Sequence, residues 1–176
     1  MATRKSTWIL VGMTVIMVWL LGSVTQAGAQ TYTVKCRETG HYPKMHVIEV
    51  GDVPGHILVV GESAGVFYCD DGSVATTSIK PMVELTKGSG KAASYELFTY
   101  EDSSTAWIKA QCTIRPSPDG KRAIYEGGTF EYIKGTGRFE GIQGSGTFTG
   151  RRLAPLPGAG AQYLEDITIT YTLSSK

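Results

Sequence analysis

The stretch Gly127–Arg152 reads GGTFEYIKGTGRFEGIQGSGTFTGRR and gives the clearest indication of the fold. Strand-forming residues flank a Gly-Thr-Gly turn at 135–137, so the pattern predicts two strands joined by that turn. Within the second strand, glycine recurs at positions 141, 144 and 146. Because glycine weakens a strand and usually marks a bulge or a close approach of two backbones, we predict a strongly bent strand pair at the corner of a barrel.

The rest of the chain after Gln30 has the same β character. In Ile167–Leu173, apolar residues alternate with threonine, which is typical of a strand with one apolar face. Tyr32–Arg37 and Ala106–Ile114 alternate in the same way, whereas Ile57–Val60 is a continuous apolar run that predicts a strand covered on both faces. Clusters of Gly, Pro, Asp and Ser separate these runs, and no helical periodicity is sustained.

These patterns predict an all-β protein with about eight to ten antiparallel strands. We expect a single closed antiparallel β-barrel of about eight strands, because closure leaves no sheet edge exposed in a chain with many glycine bends. Two stacked sheets are the alternative. The uncharged stretch Ala154–Gln162 (APLPGAGAQ) is expected to be a surface loop between the last two strands.

The glycine-rich segment resembles the calycin-like barrels of the allene oxide cyclases and of the related dirigent proteins. In those barrels a strand is followed by a GTG-F or GSG-F turn and a short glycine-bearing strand. The matching residues here are Gly135, Thr136, Gly137, Phe139, Gly141 and Gly144. Gly51–His56 and Tyr95–Thr105 are also similar to segments of uncharacterised bacterial members, so the resemblance covers most of residues 44–152.

The resemblance implies a barrel with an apolar interior that is either filled by side chains or holds one small ligand. Members of the superfamily include cyclases that act on an oxidised fatty acid and proteins that direct the coupling of phenolic radicals. The catalytic residues of neither group match a local motif in this chain, so no residue role is carried over. Members often associate through their barrel walls, which implies a homodimer or a homotrimer.

Residues 1–29 are predicted to be a cleavable secretory signal peptide. Arg4 and Lys5 supply the positive start, and Trp8–Leu21 is an apolar run shorter than the roughly 20 residues of a membrane-spanning helix. Small residues at 27–29 predict cleavage between Ala29 and Gln30. We therefore expect a secreted or periplasmic β-barrel domain at 30–176 with no membrane attachment after cleavage. An uncleaved membrane anchor is the alternative.

Charge and cysteine content narrow the function classes. The chain has 17 basic and 16 acidic residues, and cleavage would remove two basic residues and no acids, so the mature domain is close to neutral and nucleic acid is not favoured as a partner. In an oxidising compartment Cys36, Cys69 and Cys112 would form one disulfide and leave one thiol, with three pairings open. No C-x-x-C motif is present, and we predict no cofactor.

Two sets of residues are candidates for acid–base chemistry. Asp52 could orient His56 as a general base, although Asp52 could equally cap a turn before a strand that begins at His56. Glu126, followed by Glu131 and Glu140, lies in or beside the bent strand pair. A carboxyl group that faced an apolar interior would have a raised pKa and could act as an acid, whereas solvent-facing glutamates are the structural alternative.

Ligand-binding and metal-binding residues are less well defined. The candidate ligand contacts are three aromatic residues that could equally be core residues: Tyr95, Trp107 and Tyr132. A loose group of soft-metal ligands comprises Cys36, His41, Met45, His46 and His56. Its spacing matches no standard zinc site, and adjacent residues of a strand point to opposite faces, so we predict no metal site.

Three functions remain open from the sequence. The first is an exported barrel that binds a small apolar or aromatic molecule, the second is an isomerase or cyclase that uses the same cavity, and the third is a packed interaction or scaffold protein. A cavity larger than roughly 300 Å3 would support the first two. An inward carboxyl group or histidine without a structural partner would favour the enzyme.

Overall fold

The computed structural model describes residues 30–153 and 161–173 of the chain. The predicted signal peptide and most of the predicted Ala154–Gln162 loop lie outside the described residues. Gln162 itself already belongs to the last strand. Within the described ranges, no helix has the length and apolar character needed to cross a membrane.

The described residues form eight strands. In chain order they are β1 (Gln30–Glu49), β2 (His56–Cys69), β3 (Val74–Thr86), β4 (Ser89–Tyr100), β5 (Thr105–Pro116), β6 (Ala123–Thr136), β7 (Gln143–Arg152) and β8 (Gln162–Leu173). Each strand pairs antiparallel with the next, and β8 pairs antiparallel with β1 from Gln30↔Leu173 to His41↔Gln162. The sheet is therefore a closed barrel, which confirms the predicted fold class.

The glycine-rich segment forms the β6–β7 corner, but its turn is longer than predicted. A short 3-10 helix, Gly137–Phe139, follows β6, and β7 begins only at Gln143. Gly141 therefore lies in the connection, with a positive φ of 74°, and does not interrupt the second strand. A side chain at Gly135 would overlap the backbone carbonyl oxygen of Phe139, so the corner requires glycine there.

The barrel interior nearest the start of β1 is packed solid, and we call this part the packed half. Its buried residues come from seven of the eight strands, all but β7, and from the β6–β7 corner. They include Val34, Cys36, Phe67, Phe98, Tyr100, Ile108, Phe130, Phe139, Ile167 and Ile169. Phe67 and Phe98 meet edge to face, with their ring centroids 4.8 Å apart. Cys36 and Cys69, which are opposite each other on β1 and β2, form a disulfide.

The prediction that Ile57–Val60 is covered on both faces is wrong. Ile57 and Val59 point into the barrel, whereas Leu58 and Val60 are 40% and 45% exposed on the outer wall. A barrel built from one closed sheet has only one packed face, so every second residue of this strand faces outward. Ile48 and Met82 are also exposed and extend this apolar strip on the outer wall. Association through the barrel wall, as a homodimer or a homotrimer, stays a prediction.

Replacing both Cys36 and Cys69 with alanine is expected to lower the free energy of unfolding by about 3–4 kcal/mol, because the crosslink restricts the unfolded chain. The bonded residues are 33 positions apart, so the reduced chain regains a long loop. Urea denaturation without reductant measures the loss. Cys112→Ala is the control, because that thiol is unpaired. An equal loss in the control variant would contradict the assignment.

Candidate functional site

The barrel interior at the other end is hollow, and we call this part the open half. A cavity of about 450 Å3 lies there, where β1, β3, β5 and β7 end. Two larger depressions, of about 640 and 720 Å3, lie on the outer wall and are open to solvent. The inner cavity is the candidate site, because it lies inside the barrel and the ionisable residues Glu96, Glu165 and Arg152 line it.

Most of the cavity wall is apolar. Aliphatic and aromatic side chains from seven strands line it, among them Tyr42, Met45, Ile57, Val59, Ile79, Val83, Leu85, Ile114, Ala123, Tyr125 and Phe148. Small residues such as Gly61, Ala92 and Ser94 also face the cavity. On the same strands in the packed half, the inward residues include Phe67 and Phe98. The small residues that face the cavity contribute to the void.

Three glutamates from three strands converge on the inner end of the cavity, and we call them the acidic cluster: Glu38, Glu96 and Glu165. Glu96 and Glu165 line the cavity, and Glu38 lies close enough for its charge to act on both. Alternation along the strands explains their inward direction. Glu38 is two residues beyond Cys36, and Glu165 is two residues before Ile167, both of which are core residues.

Glu38 is fully buried, with 0% of its surface exposed. Its Oε1 accepts hydrogen bonds from the Tyr163 hydroxyl at 2.7 Å and from the Thr77 hydroxyl at 2.8 Å. Its Oε2 has no partner among the described residues. Burial raises the pKa of Glu38 to about 6, and the hydrogen bonds from Tyr163 and Thr77 oppose that rise.

Glu96 and Glu165 are held in their protonated forms more strongly than Glu38. Burial raises the pKa of Glu96 to about 8, and the nearby charge of Glu38 adds to the rise. The Ser94 hydroxyl donates to Glu96 Oε1 at 2.6 Å. Burial, followed by the charges of Glu38 and Glu96, raises the pKa of Glu165 well above its usual value. The three carboxyl groups therefore hold their protons more firmly than exposed glutamates do, because burial and mutual repulsion disfavour their charged forms.

Arg152, at the end of β7, is the cationic residue of the cavity lining. Its side chain is buried, with 3% of the residue exposed, and the guanidinium carbon lies 5.1 Å from the centre of the Tyr42 ring. One terminal nitrogen is 3.6 Å from the Met45 sulfur. The Nε atom has no hydrogen-bond partner among the described residues, and none of their carboxylates forms an ion pair with Arg152.

The predicted Asp52–His56 pair forms, but it lies outside the cavity. Asp52 Oδ1 is 2.6 Å from His56 Nδ1, and Glu84 Oε1 is 3.1 Å from His56 Nε2. Hydrogen bonding to Asp52, and then to Glu84, raises the pKa of His56. Asp52 also accepts the Val53 amide, and β2 begins at His56. The pair therefore has the structural arrangement, in which Asp52 caps the turn before β2 and His56 begins the strand, and not the catalytic one.

The expectation that Glu126 could face the interior is wrong. Its carboxylate forms two hydrogen bonds with the Arg115 guanidinium on the outer wall, which lowers the pKa of Glu126. Tyr125, the preceding residue, takes the inward position, and the strand register shifts only after it. Glu131 and Glu140 are exposed. Inward carboxyl groups do exist, but on β1, β4 and β8 and not beside the glycine-rich corner.

The three predicted aromatic contacts do not line the cavity. Tyr95 is exposed on the outer wall, and Trp107 is half-buried between the inward Ala106 and Ile108. Tyr132 does point inward, but it packs in the filled half of the barrel against Phe130, with the ring centroids 6.0 Å apart. The aromatic residues at the cavity are Tyr42, Tyr125 and Phe148.

The possible metal ligands are scattered by the fold. Cys36 is in the disulfide, His56 pairs with Asp52, and Met45 faces the cavity while His46 is exposed. No group of three or more His, Cys, Asp or Glu side chains in the described ranges is arranged to hold a metal ion. Cys112 lines the cavity, and burial raises the pKa of its thiol to about 12.

Comparisons with known proteins give structural neighbours only. No family model matches the chain. No curated protein matches it. Among solved structures, it is similar to the pterocarpan synthase dirigent protein GePTS1, with 12% identity, a TM-score of 0.48, and coverage of 86% of this chain and 96% of that one. It is also similar to the pterocarpan synthase dirigent protein PsPTS1, with 9% identity, a TM-score of 0.47, and coverage of 85% and 98%.

Both neighbours are dirigent proteins, one of the two groups that the Gly127–Arg152 segment resembles. The closed barrel of this chain follows from its own strand pairing. No residue role and no ligand is transferred from either neighbour.

Replacing Glu96 with glutamine is expected to raise the free energy of unfolding at about pH 8 by about 1 kcal/mol or more, and to change it little at about pH 5. Folding raises the pKa of Glu96 from 4.5 to about 8, so the folded state keeps a proton that the unfolded chain loses. Stability therefore falls as pH rises through that window, and glutamine cannot ionise.

Urea denaturation of both proteins at the two pH values measures the effect. Glu131→Gln is the matched control, because Glu131 is exposed on the same barrel. A gain for Glu96→Gln that is equal at the two pH values would contradict the ionisation argument.

Proposed function

We propose that the protein acts outside the cytoplasm by binding a small, mainly apolar molecule in the cavity of the open half. The observation that carries this proposal is the inner cavity of about 450 Å3 with a mostly apolar wall. Ligand pockets in proteins typically measure about 300–1,000 Å3 and combine an apolar lining with a few polar groups. The cavity, the acidic cluster and Arg152 correspond to that description.

The cost of the void supports a ligand. A cavity lined by apolar side chains loses packing contacts and lowers stability in proportion to its volume. The packed half demonstrates that this barrel can be filled, since Phe67, Phe98 and Phe130 occupy it. A barrel that served only as a packed scaffold would have no need of Gly61, Ala92 and Ser94 at the other end. The hollow end therefore favours binding over the scaffold interpretation.

Two features support the location. The sequence at 1–29 has the order of a signal peptide, with a basic start, an apolar run and small residues before Gln30. The Cys36–Cys69 disulfide supports an oxidising compartment, because stable disulfides are rare in the cytosol. Mass determination of the protein recovered from the exported fraction tests whether the chain begins at Gln30.

Filling the cavity is expected to abolish ligand binding. Ala92 faces the cavity, so Ala92→Trp places a large ring in the space, whereas Ala64→Trp places the same ring on the outer wall. Residues 30–176 should carry co-purified apolar compounds, detected by solvent extraction and mass spectrometry, and Ala92→Trp should lose them. Retention by Ala92→Trp, or an empty wild-type protein that also fails to bind an apolar fluorescent probe, would overturn the proposal.

A second candidate function is an isomerase or cyclase that works by proton transfer in the same cavity. The acidic cluster favours it, because carboxyl groups whose pKa values lie near neutral pH can both accept and donate protons. The unpartnered Glu38 Oε2 and the cavity-lining Glu165 are the groups available for such a transfer.

Proton transfer has a direct isotopic readout. Incubated in D2O with the extracted compound, the wild-type protein is expected to exchange a carbon-bound hydrogen of that compound for deuterium, and Glu165→Gln is expected to bind the compound without exchange. Mass spectrometry measures the deuterium. Glu131→Gln is the control variant. If the wild-type protein binds the compound without exchange, the isomerase or cyclase hypothesis is rejected and the binding function is retained.

A further inference from the structure

Arg152 is a buried cation in the cavity lining, and the described residues leave its Nε donor without a partner. A guanidinium keeps its charge at any physiological pH and presents five N–H donors in a planar arrangement. Withdrawing such a group from water is unfavourable unless a negative charge meets it.

The side chain is held in place although it is unpaired. Its guanidinium lies over the Tyr42 ring, and one terminal nitrogen contacts the Met45 sulfur. The Tyr42 hydroxyl is in turn 3.3 Å from the Tyr125 hydroxyl, so the ring that supports Arg152 is itself positioned. A rigid cation with free donors binds an anion without a large loss of conformational freedom.

The acidic cluster does not supply that anion. Glu38 is hydrogen-bonded to Tyr163 and Thr77, and Glu96 to Ser94. No ion pair between Arg152 and any of the three glutamates forms in the described structure. Burial raises the pKa of Glu96 to about 8 and that of Glu165 well above its usual value, which limits their repulsion of a bound anion. Within the described residues no carboxylate meets Arg152, which leaves that role open to a ligand.

We propose that the cavity binds an apolar organic acid, whose single anionic group is held by the Arg152 guanidinium and whose apolar body packs against the aliphatic wall. This proposal rests on the proposed binding function and names the chemical class of the ligand. The wall that receives the body includes Ile57, Val83, Leu85 and Ile114. A second negative charge would lie nearer the acidic cluster, so the site should prefer monoanions.

Two fluorescent probes of nearly the same shape test the proposal. 1-Anilinonaphthalene-8-sulfonate carries one negative charge, and N-phenyl-1-naphthylamine is the same three-ring molecule without the sulfonate. The wild-type protein is expected to bind the sulfonate about tenfold more tightly than the neutral probe, the effect of a charge-assisted hydrogen bond. Arg152→Met, which keeps most of the side-chain volume, is expected to remove this preference while it retains the neutral probe.

Arg151→Met is the matched control, because Arg151 is the exposed neighbour on the same strand and should leave the preference unchanged. Ala92→Trp should abolish the binding of both probes, which separates the cavity from the apolar strip on the outer wall. Failure of both probes to bind the wild-type protein would reject the binding function itself. Binding of both probes with equal affinity, or an unchanged preference in Arg152→Met, would reject only the role of Arg152.

The wild-type preference also tests the proposal without any variant, so it does not depend on whether Arg152→Met folds. Thermal denaturation in the presence of each probe gives a second readout. The sulfonate should raise the melting temperature of the wild-type protein more than the neutral probe does at equal concentration. Equal shifts would contradict the proposal.

Discussion

The pairing of β8 with β1 is the constraint on which the rest of the structure depends. It closes the sheet, so each of the eight strands sends every second side chain into one common interior. A polar residue at an inward position then has no route to bulk water except through the open end. The acidic cluster follows directly from this rule, since Glu38, Glu96 and Glu165 share faces with Cys36, Phe98 and Ile167.

Side-chain size then divides that interior. In the packed half, phenylalanines from β2, β4 and β6 meet at the barrel axis, and the disulfide ties β1 to β2 beside them. Toward the other end the inward positions hold glycine, alanine and serine on β2 and β4. The β4 register runs unbroken along both of its neighbours. Register shifts do fall near the boundary on the other side of the barrel, between His41 and Lys44, between Gln111 and Thr113 and between Tyr125 and Gly128. The cavity therefore coincides with both smaller side chains and irregular strand pairing.

Much of the fold could be predicted from the sequence, because alternation is a local property. Ile167–Leu173 and Tyr32–Arg37 were assigned the correct inward faces, and the glycine-rich segment forms the predicted corner. The acidic cluster was missed for a specific reason. On β1 the apolar alternation ends at Cys36, and on β8 it begins at Ile167. Glu38 and Glu165 lie two residues outside those runs, so they did not look like inward positions. Continuing the two-residue alternation along each strand identifies both as inward.

The cavity and the role of Arg152 could not be predicted in this way. Which inward residues share a level of the barrel depends on the register between strands, and the sequence does not state that register. Tyr95, Trp107 and Tyr132 have the residue types expected of a cavity wall. Strand alternation points the side chains of Tyr95 and Trp107 outward, and the register between strands places Tyr132 in the packed half. Arg152 is the last residue of the glycine-rich strand β7, and nothing in that strand's sequence indicates that its side chain is buried. The contact with Tyr42 becomes evident only in the folded barrel.

The features that lower stability all lie in the open half. The void, the unpartnered nitrogen of Arg152, the unpartnered oxygen of Glu38 and the three glutamates with raised pKa values share one end of the barrel. The features that raise stability, the aromatic packing and the disulfide, share the other. A fold under selection for stability alone would remove the first group one residue at a time, because each has a simple apolar replacement. Their joint presence around one space supports the proposed ligand, and the buried cation supports the negative charge that we propose for it.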